Sequence, residues 1–208
     1  RQRQMCIRDR NFTYPEGELS DYHHELDLTT ATNTVTYKVG DTEYPRQCIA
    51  SNPDDVIAMH IKASRPESIT VELELQPLRN AEVVASGNQL IYTGNAEFEK
   101  HGRGGVLFEG RIAAEIKGGT IKADGKKLLI DKATEVLLLS DVRTNYKNTT
   151  FAGYDYQQKC KETIEAASKK SFKTLRNTHV EDYTPLFSRV ALSFGENGCL
   201  LYTSPSPR

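Results

Sequence analysis

The residues that could do chemistry lie in four short stretches. His23-His24 stands beside Glu25 and Asp27. A metal could use such donors, but neighbours on a strand point to opposite faces, so a solvent-facing strand edge is the better reading. His60 sits within the apolar run VIAMHIKA and reads as a satisfied histidine of the scaffold, not a catalytic base. His101-Gly102-Arg103-Gly104-Gly105 is glycine-rich, but it lacks a GK[ST] ending and no helix follows, which excludes a phosphate loop. A loop carrying His and Arg can still line a ligand rim. Arg143-Thr144-Asn145-Tyr146-Lys147-Asn148 follows an apolar strand; there an Asn amide can bond sugar hydroxyls and a Tyr ring can stack on a sugar face. His101, Arg103, Asn145 and Tyr146 are therefore the substrate-rim candidates.

Other chemistry finds little support. The chain has 28 Asp and Glu residues, mostly at alternating strand positions, and no pair stands out as the two carboxylates of a glycosidase. No Ser/His/Asp or Cys/His arrangement is legible. Cys6, Cys48, Cys160 and Cys199 show no CxxC spacing, so no metal site is expected. Cys48 and Cys160 read as two separate buried thiols in preference to a disulfide. No catalytic residue, metal or cofactor is expected within this chain. Asn11-Phe12-Thr13 and Asn148-Thr149-Thr150 fit the glycosylation pattern, which matters only in a eukaryotic secretory host.

The elements that must position the rim are mainly strands. Thr32 to Val39, the turn Gly40-Asp41 and Thr42 to Ala50 form a hairpin by period and turn chemistry, with Pro45 marking an edge or a bulge. Val56 to Ala63 is a more buried strand. Ile69 to Leu75 alternates so that Ile69, Val71, Leu73 and Leu75 face the core. Ala81 to Ala85 and Gln89 to Thr93 flank Ser86-Gly87-Asn88. Val106 to Lys117 is one long strand, and Asp124-Gly125 turns Thr120 to Ala123 into Lys127 to Ile130. Val136 to Ser140 is continuously apolar, as in a central strand covered on both faces. Ten to twelve strands at this spacing predict a mainly β fold, a large antiparallel β-sandwich. From Tyr156 to Arg176 the period becomes helical, with Cys160, Ile164, Ala167, Ser171 and Leu175 on one stripe. Thr184-Pro185 reads as an N-cap with Pro at the first helical position, so a second helical piece is expected to start near Pro185.

Composition narrows the function. Lys+Arg number 27 against 28 Asp+Glu, a net charge of −1, which offers no footprint for nucleic acid or for an anionic membrane. The longest apolar run, Val136 to Leu139, is too short to span a bilayer. Residues 1–10 (RQRQMCIRDR) and 199–208 (CLLYTSPSPR) break with their neighbours and read as adapter-derived, non-native segments. The remainder divides into a β-sandwich domain over 11–152 and a short helical connector over 153–195. The connector leads into His179-Val180-Glu181-Asp182-Tyr183-Thr184-Pro185-Leu186-Phe187-Ser188-Arg189-Val190, which reads as the link to a further domain.

Several stretches together resemble the N-terminal β-domain of glycoside hydrolase family 95, the α-L-fucosidases. Asp21-Tyr22-His23-His24-Glu25-Leu26-Asp27-Leu28, Ala31 and Val35-Thr36-Tyr37 resemble DYxRELDLxxAxxxVxY, with His24 for an Arg. Tyr44-Pro45-Arg46 and Ala50-Ser51-Asn52-Pro53-Asp54-Asp55-Val56 resemble YxRExFxSxPDxV, with Gln47 for a Glu. His101-Gly102, Val106 and Phe108 resemble HGxxxFE, and Val136 to Leu139 with Thr144-Asn145-Tyr146 resemble VLLLAAATSY. His179, Asp182-Tyr183, Leu186-Phe187 and Arg189-Val190 fit HxxDYxxLFxRV.

The resemblance implies a sandwich, then connector helices, then an (α/α)6 barrel that holds the catalytic groups for inverting hydrolysis of α-linked L-fucose. It also implies an exported bacterial protein, periplasmic or extracellular, whose partners are its own catalytic barrel and a fucosylated glycan. The domain itself would be non-catalytic, with a loop able to line the substrate rim. The alternatives are a free-standing carbohydrate-binding module and the same domain from a relative acting on another sugar, such as L-galactose. An exposed apolar patch along Ile164, Ala167, Phe172 and Leu175 is expected where the barrel would dock.

Overall fold

The computed structural model of the chain describes residues 10–13, 17–77, 81–96, 105–146 and 155–191. Among them are thirteen strands and two helices. The smaller sheet has the order β1-β7-β12-β11, from Arg10–Thr13, Ile69–Glu74, Lys127–Ala133 and Thr120–Asp124. The larger sheet runs β2-β3-β5-β6-β13-β10-β9-β8. Its strands are Leu19–Asp27, Thr32–Val39, Arg46–Ser51, Val56–Lys62, Glu135–Thr144, Val106–Lys117, Gln89–Ala96 and Ala81–Ser86. A short β4, Thr42–Glu43, also pairs with β3. All pairings are antiparallel.

The two sheets bury one core between them. Val35, Tyr37 and Val39 from β3, Ile69, Val71 and Leu73 from β7, and Val136 and Leu138 from β13 all lie in it. The alternation expected for Ile69 to Leu75 is present, and so is the two-sided burial of β13. Val136 and Leu138 point to the inter-sheet core, whereas Leu137 and Leu139 belong to a second cluster on the outer face of the large sheet. Pro45 has no N–H to give a ladder, and it falls between β4 and β5, where its carbonyl accepts from Lys62 N at 3.0 Å. The chain changes sheets between β10 and β11 at Gly118-Gly119, both at positive φ (+74° and +67°). A Cβ at Gly119 would collide with the backbone of Asp131 and Lys132, so only glycine allows this corner.

The helical part departs from the expectation in two ways. Helix α1 (Tyr156–Ser168) ends before Lys169, and α2 (Phe172–Phe187) begins after the N-cap Ser171, whose hydroxyl accepts from Thr174 N. The break therefore comes at Ser171, and Pro185 lies inside α2, in its last turn. A proline there cannot bond the carbonyl four residues back. Glu181 and Pro185 are both exposed, so water can take the place of the lost donor. Ser171, assigned to the buried stripe by its spacing, is spent as a cap.

The second departure concerns the stripe itself. Ile164, Ala167, Phe172 and Leu175 are not an exposed patch: they are buried against Ile49, Val56, Ala58, Ala113, Leu137 and Leu139. The reason is in the sheet. Its outer face is apolar beneath β13, β6 and β10, and an apolar sheet face must be covered. The helices supply a third layer. No helix among the described residues is long and apolar enough to cross a membrane.

Ile164→Ala should therefore destabilise the chain by about 2–5 kcal/mol, the usual range for truncating a buried aliphatic side chain. Urea denaturation checks this; a cost near zero would mean that α1 does not cover the sheet.

Candidate functional site

Of the four rim candidates, the structure describes two. Asn145 and Tyr146 follow β13. Asn145 N donates to Leu107 O at 3.0 Å, and Leu107 N donates to Asn145 Oδ1 at 3.0 Å. The amide oxygen of Asn145 thus extends the β10/β13 ladder in place of a backbone carbonyl. Tyr146 is exposed, and Thr144 Oγ1 closes a local turn on its backbone. His101 and Arg103 lie outside the described residues. Leu107, near the start of β10, is the partner of Asn145 just past the end of β13.

A larger constellation was not singled out in the sequence. Three of the stretches that carry the family resemblance meet around α2. In the β2–β3 turn, Asp27 accepts from Thr29 Oγ1 (2.6 Å), Thr29 N (2.8 Å) and Thr30 Oγ1 (2.7 Å). These hydrogen bonds, led by the Thr29 hydroxyl, hold its carboxyl at about 2. The ordered turn presents two carbonyls to α2. Tyr183 donates its hydroxyl to Leu28 O at 2.8 Å, and the buried His179 donates from Nε2 to Thr30 O at 3.1 Å.

The β5–β6 turn holds the other side. Asp54 accepts from Lys170 Nζ (2.6 Å), Ser51 Oγ (2.7 Å) and Thr178 Oγ1 (3.0 Å). Asn52 Nδ2 donates to Asp182 Oδ2 at 3.1 Å. Burial works to raise the Asp54 carboxyl, but the hydrogen bonds from Lys170, Ser51 and Thr178 outweigh it, so the group stays below its ordinary range. Asp55 pairs with Arg143 at 3.2 Å. The Pro-Asp-Asp turn is thus a clamp on the helices.

Beneath α1 lies a buried charge network. In the β10/β13 register Glu109 faces Arg143 and Arg111 faces Asp141. Glu109 accepts from Arg111 Nε at 2.7 Å and from Gln157 Nε2 at 3.1 Å, while Asp141 accepts from Arg143 Nε at 2.7 Å. Each carboxylate is committed to an arginine. Cys160 packs against this network, and burial pushes its thiol up to about 12, the state of an inert core thiol. Cys48 and Cys160 are not joined in a disulfide, as read from the sequence, but of the two expected buried thiols only Cys160 is buried and Cys48 is half-buried. His23 and His24 lie on the exposed edge strand β2, also as expected: His23 is 3.6 Å from Glu25, and His24 meets Asn33 at 2.8 Å. His60 pairs with Glu135 at 3.3 Å.

The chain has similar counterparts among known proteins. Residues 7–149 match the family described as "Glycosyl hydrolase family 65, N-terminal domain". The chain belongs to that family. It is 29% identical over 199 residues to Alpha-L-fucosidase 2 of Arabidopsis thaliana, covering 83% of this chain and 23% of that protein. It is 28% identical over 201 residues to a protein of Aspergillus niger named as an alpha-fucosidase A, covering 88% of this chain and 25% of that one. The chain thus spans about a quarter of the length of these relatives. A solved structure assigned as a kojibiose phosphorylase from the human microbiome shares the fold, with a TM-score of 0.59 at 12% identity over 85% of this chain and 27% of its own. The family is that of a glycoside hydrolase N-terminal domain, which agrees with the resemblance at a coarser level, and the two relatives are plant and fungal.

Substituting Asp54 tests the clamp. Asp54→Ala should lower stability by about 1–3 kcal/mol, since it leaves the buried Ser51 hydroxyl without its acceptor, and should speed amide exchange in α2 ahead of the sandwich strands. Because the folded carboxyl is depressed below its ordinary value of 3.8, its contribution is complete above that value and is lost as pH falls through the lower folded value. Asp54→Asn should flatten that acid limb in urea titrations.

Proposed function

We propose that this chain is the non-catalytic N-terminal β-sandwich of an inverting α-L-fucosidase-like enzyme of glycoside hydrolase family 95. Its role is to pack on a separate catalytic barrel and to supply a loop to the substrate rim. The observation that carries this reading is the way the last resemblance motif is used. His179, Asp182 and Tyr183 face the sandwich and lock α2 to two turns, while the apolar residues that follow them are exposed. Leu186 is 54% exposed, Phe187 41% and Val190 80%. Phe187 stacks on Tyr183 at 5.4 Å, and Tyr183 is bonded to Leu28 O. Leu28 and Leu26 are themselves exposed on β2 and its turn. The helix end and the edge strand thus share an apolar surface, and this surface replaces the buried stripe as the docking face for the barrel.

The similarity to a plant and a fungal fucosidase supports L-fucose as the sugar, with a fucosylated glycan as substrate. A rim role for His101, Arg103, Asn145 and Tyr146 belongs to the same reading. Asn145 would act by holding the loop, since its amide oxygen is engaged with Leu107. Whether L-fucose or L-galactose is cleaved would be set by the barrel. Work on such glycans fits a periplasmic or extracellular location.

The purified chain should show no turnover of an aryl α-L-fucoside; measurable hydrolysis would overturn the proposal. Leu28→Asp combined with Phe187→Asp should abolish binding of a hydrophobic-surface dye while leaving the melting temperature unchanged. Micromolar binding of fucosylated glycans by the isolated chain, lost in Tyr146→Ala, would instead favour a carbohydrate-binding module.

A further inference from the structure

A recess lies on the outer face of the large sheet, beside the Lys170 end of the clamp. It is a cleft of about 240 Å3 between the strand pair β10/β13, β6 and the α1–α2 turn. Its floor is set by the sheet register, in which Glu115 faces Leu137 and Lys117 faces Glu135. His60 forms one wall, its ring stacked on Phe172 at 4.7 Å, and Lys170 comes from the turn. This size is at or below the lower end for small-molecule pockets, roughly 300–1,000 Å3, so it admits one ring and little more.

The lining chooses among ligands by charge. Glu115 and Glu135 stand against Lys117 and Lys170. Burial pushes His60 below its ordinary value, which leaves the imidazole neutral at pH 7. Any anion drawn to the ammonium groups would also meet the two carboxylates, and an apolar ligand would strip water from all four charges. A hydroxyl both donates and accepts, so a ring bearing several hydroxyls matches a wall that alternates the two roles. Glu135 already meets His60, Lys117 and Lys62 at 3.3, 3.4 and 3.6 Å, so most of the remaining capacity lies at Lys170 and Glu115. Lys170 gives one of three N–H donors to Asp54. Glu115 takes one bond from Asn88 Nδ2 at 3.1 Å, where a carboxylate has about four acceptor positions.

We propose that this cleft binds a single neutral sugar ring, with Glu115 and Glu135 accepting from its hydroxyls and Lys117 and Lys170 donating to them. The site is separate from the rim loops and from the docking face, and it does not depend on the fucosidase reading: a sugar can bind here whether or not a barrel docks elsewhere.

The test is an amide chemical-shift titration of the intact chain with methyl α-L-fucoside, methyl β-D-glucoside and inorganic phosphate in parallel. At least one glycoside should shift the amides of residues 168–172 saturably at millimolar concentration. Lys117→Ala and Glu115→Gln, whose side chains lie on the cleft surface, should each weaken that binding about fivefold or more, a modest loss on the affinity scale, with an unchanged melting temperature. Tyr146→Ala should have no effect on it. Saturable shifts with phosphate alone, shifts confined to the Tyr146 end, or no saturable shift with either glycoside would each overturn the proposal.

Discussion

The central strand β13 is apolar on both faces, and the rest of the architecture follows from having to cover both. Val136 and Leu138 require the small sheet above them, and Leu137 and Leu139 require a second cover below. Strands alone do not provide it, because the smaller sheet can shield only one side. The helices after β13 fold back beneath their own strand and meet that demand. The helical segment is therefore a structural layer of the domain.

Polar groups then decide where that layer sits. An apolar stripe can slide on an apolar sheet with little loss, since hydrophobic contact is not directional. Asp54, Asn52 and the Leu28 and Thr30 carbonyls are directional. They fix the rotation and the axial position of α2 through Lys170, Thr178, Asp182, Tyr183 and His179. The buried Glu109–Arg111 and Asp141–Arg143 pairs do the same for α1. Buried ion pairs add little net stability over apolar substitutes, but they penalise any arrangement that leaves one of them unpaired.

Much of the sandwich was legible in the sequence because its signals are local. Alternation placed Ile69 to Leu75, turn chemistry placed the β8–β9 and β11–β12 hairpins, and the unbroken run at Val136 to Leu139 marked the strand with two covered faces. The helical errors share one cause. Spacing gave the stripe but not its partner, and the need for cover on the outer sheet face appears only once β6, β10 and β13 are known to be neighbours. Ser171 fitted both a stripe and a cap, and the cap prevailed because helix α2 needed its first N–H groups satisfied. The clamp was hidden for the same reason. Ser51 to Asp55 and His179 to Tyr183 were noticed as motif residues, yet nothing local says that they touch. Asn145 looked like a sugar ligand, but the end of the β10/β13 ladder engages its amide oxygen.

The sequence distances across the clamp bear on how the chain reaches this structure. Tyr183 and Leu28 are 155 positions apart, and His179 and Thr30 are 149. Contacts that close such long loops form late, because the loop entropy must be overcome before the contact rewards it. The helices can dock only after the β2–β3 and β5–β6 turns stand in place. During synthesis from the N-terminus, the sheet is therefore complete through β13 before its outer cover emerges, with Leu137 and Leu139 bare in the interval. The growing chain passes through a stage at which its most apolar sheet face is open to solvent, to chaperones and to neighbouring chains.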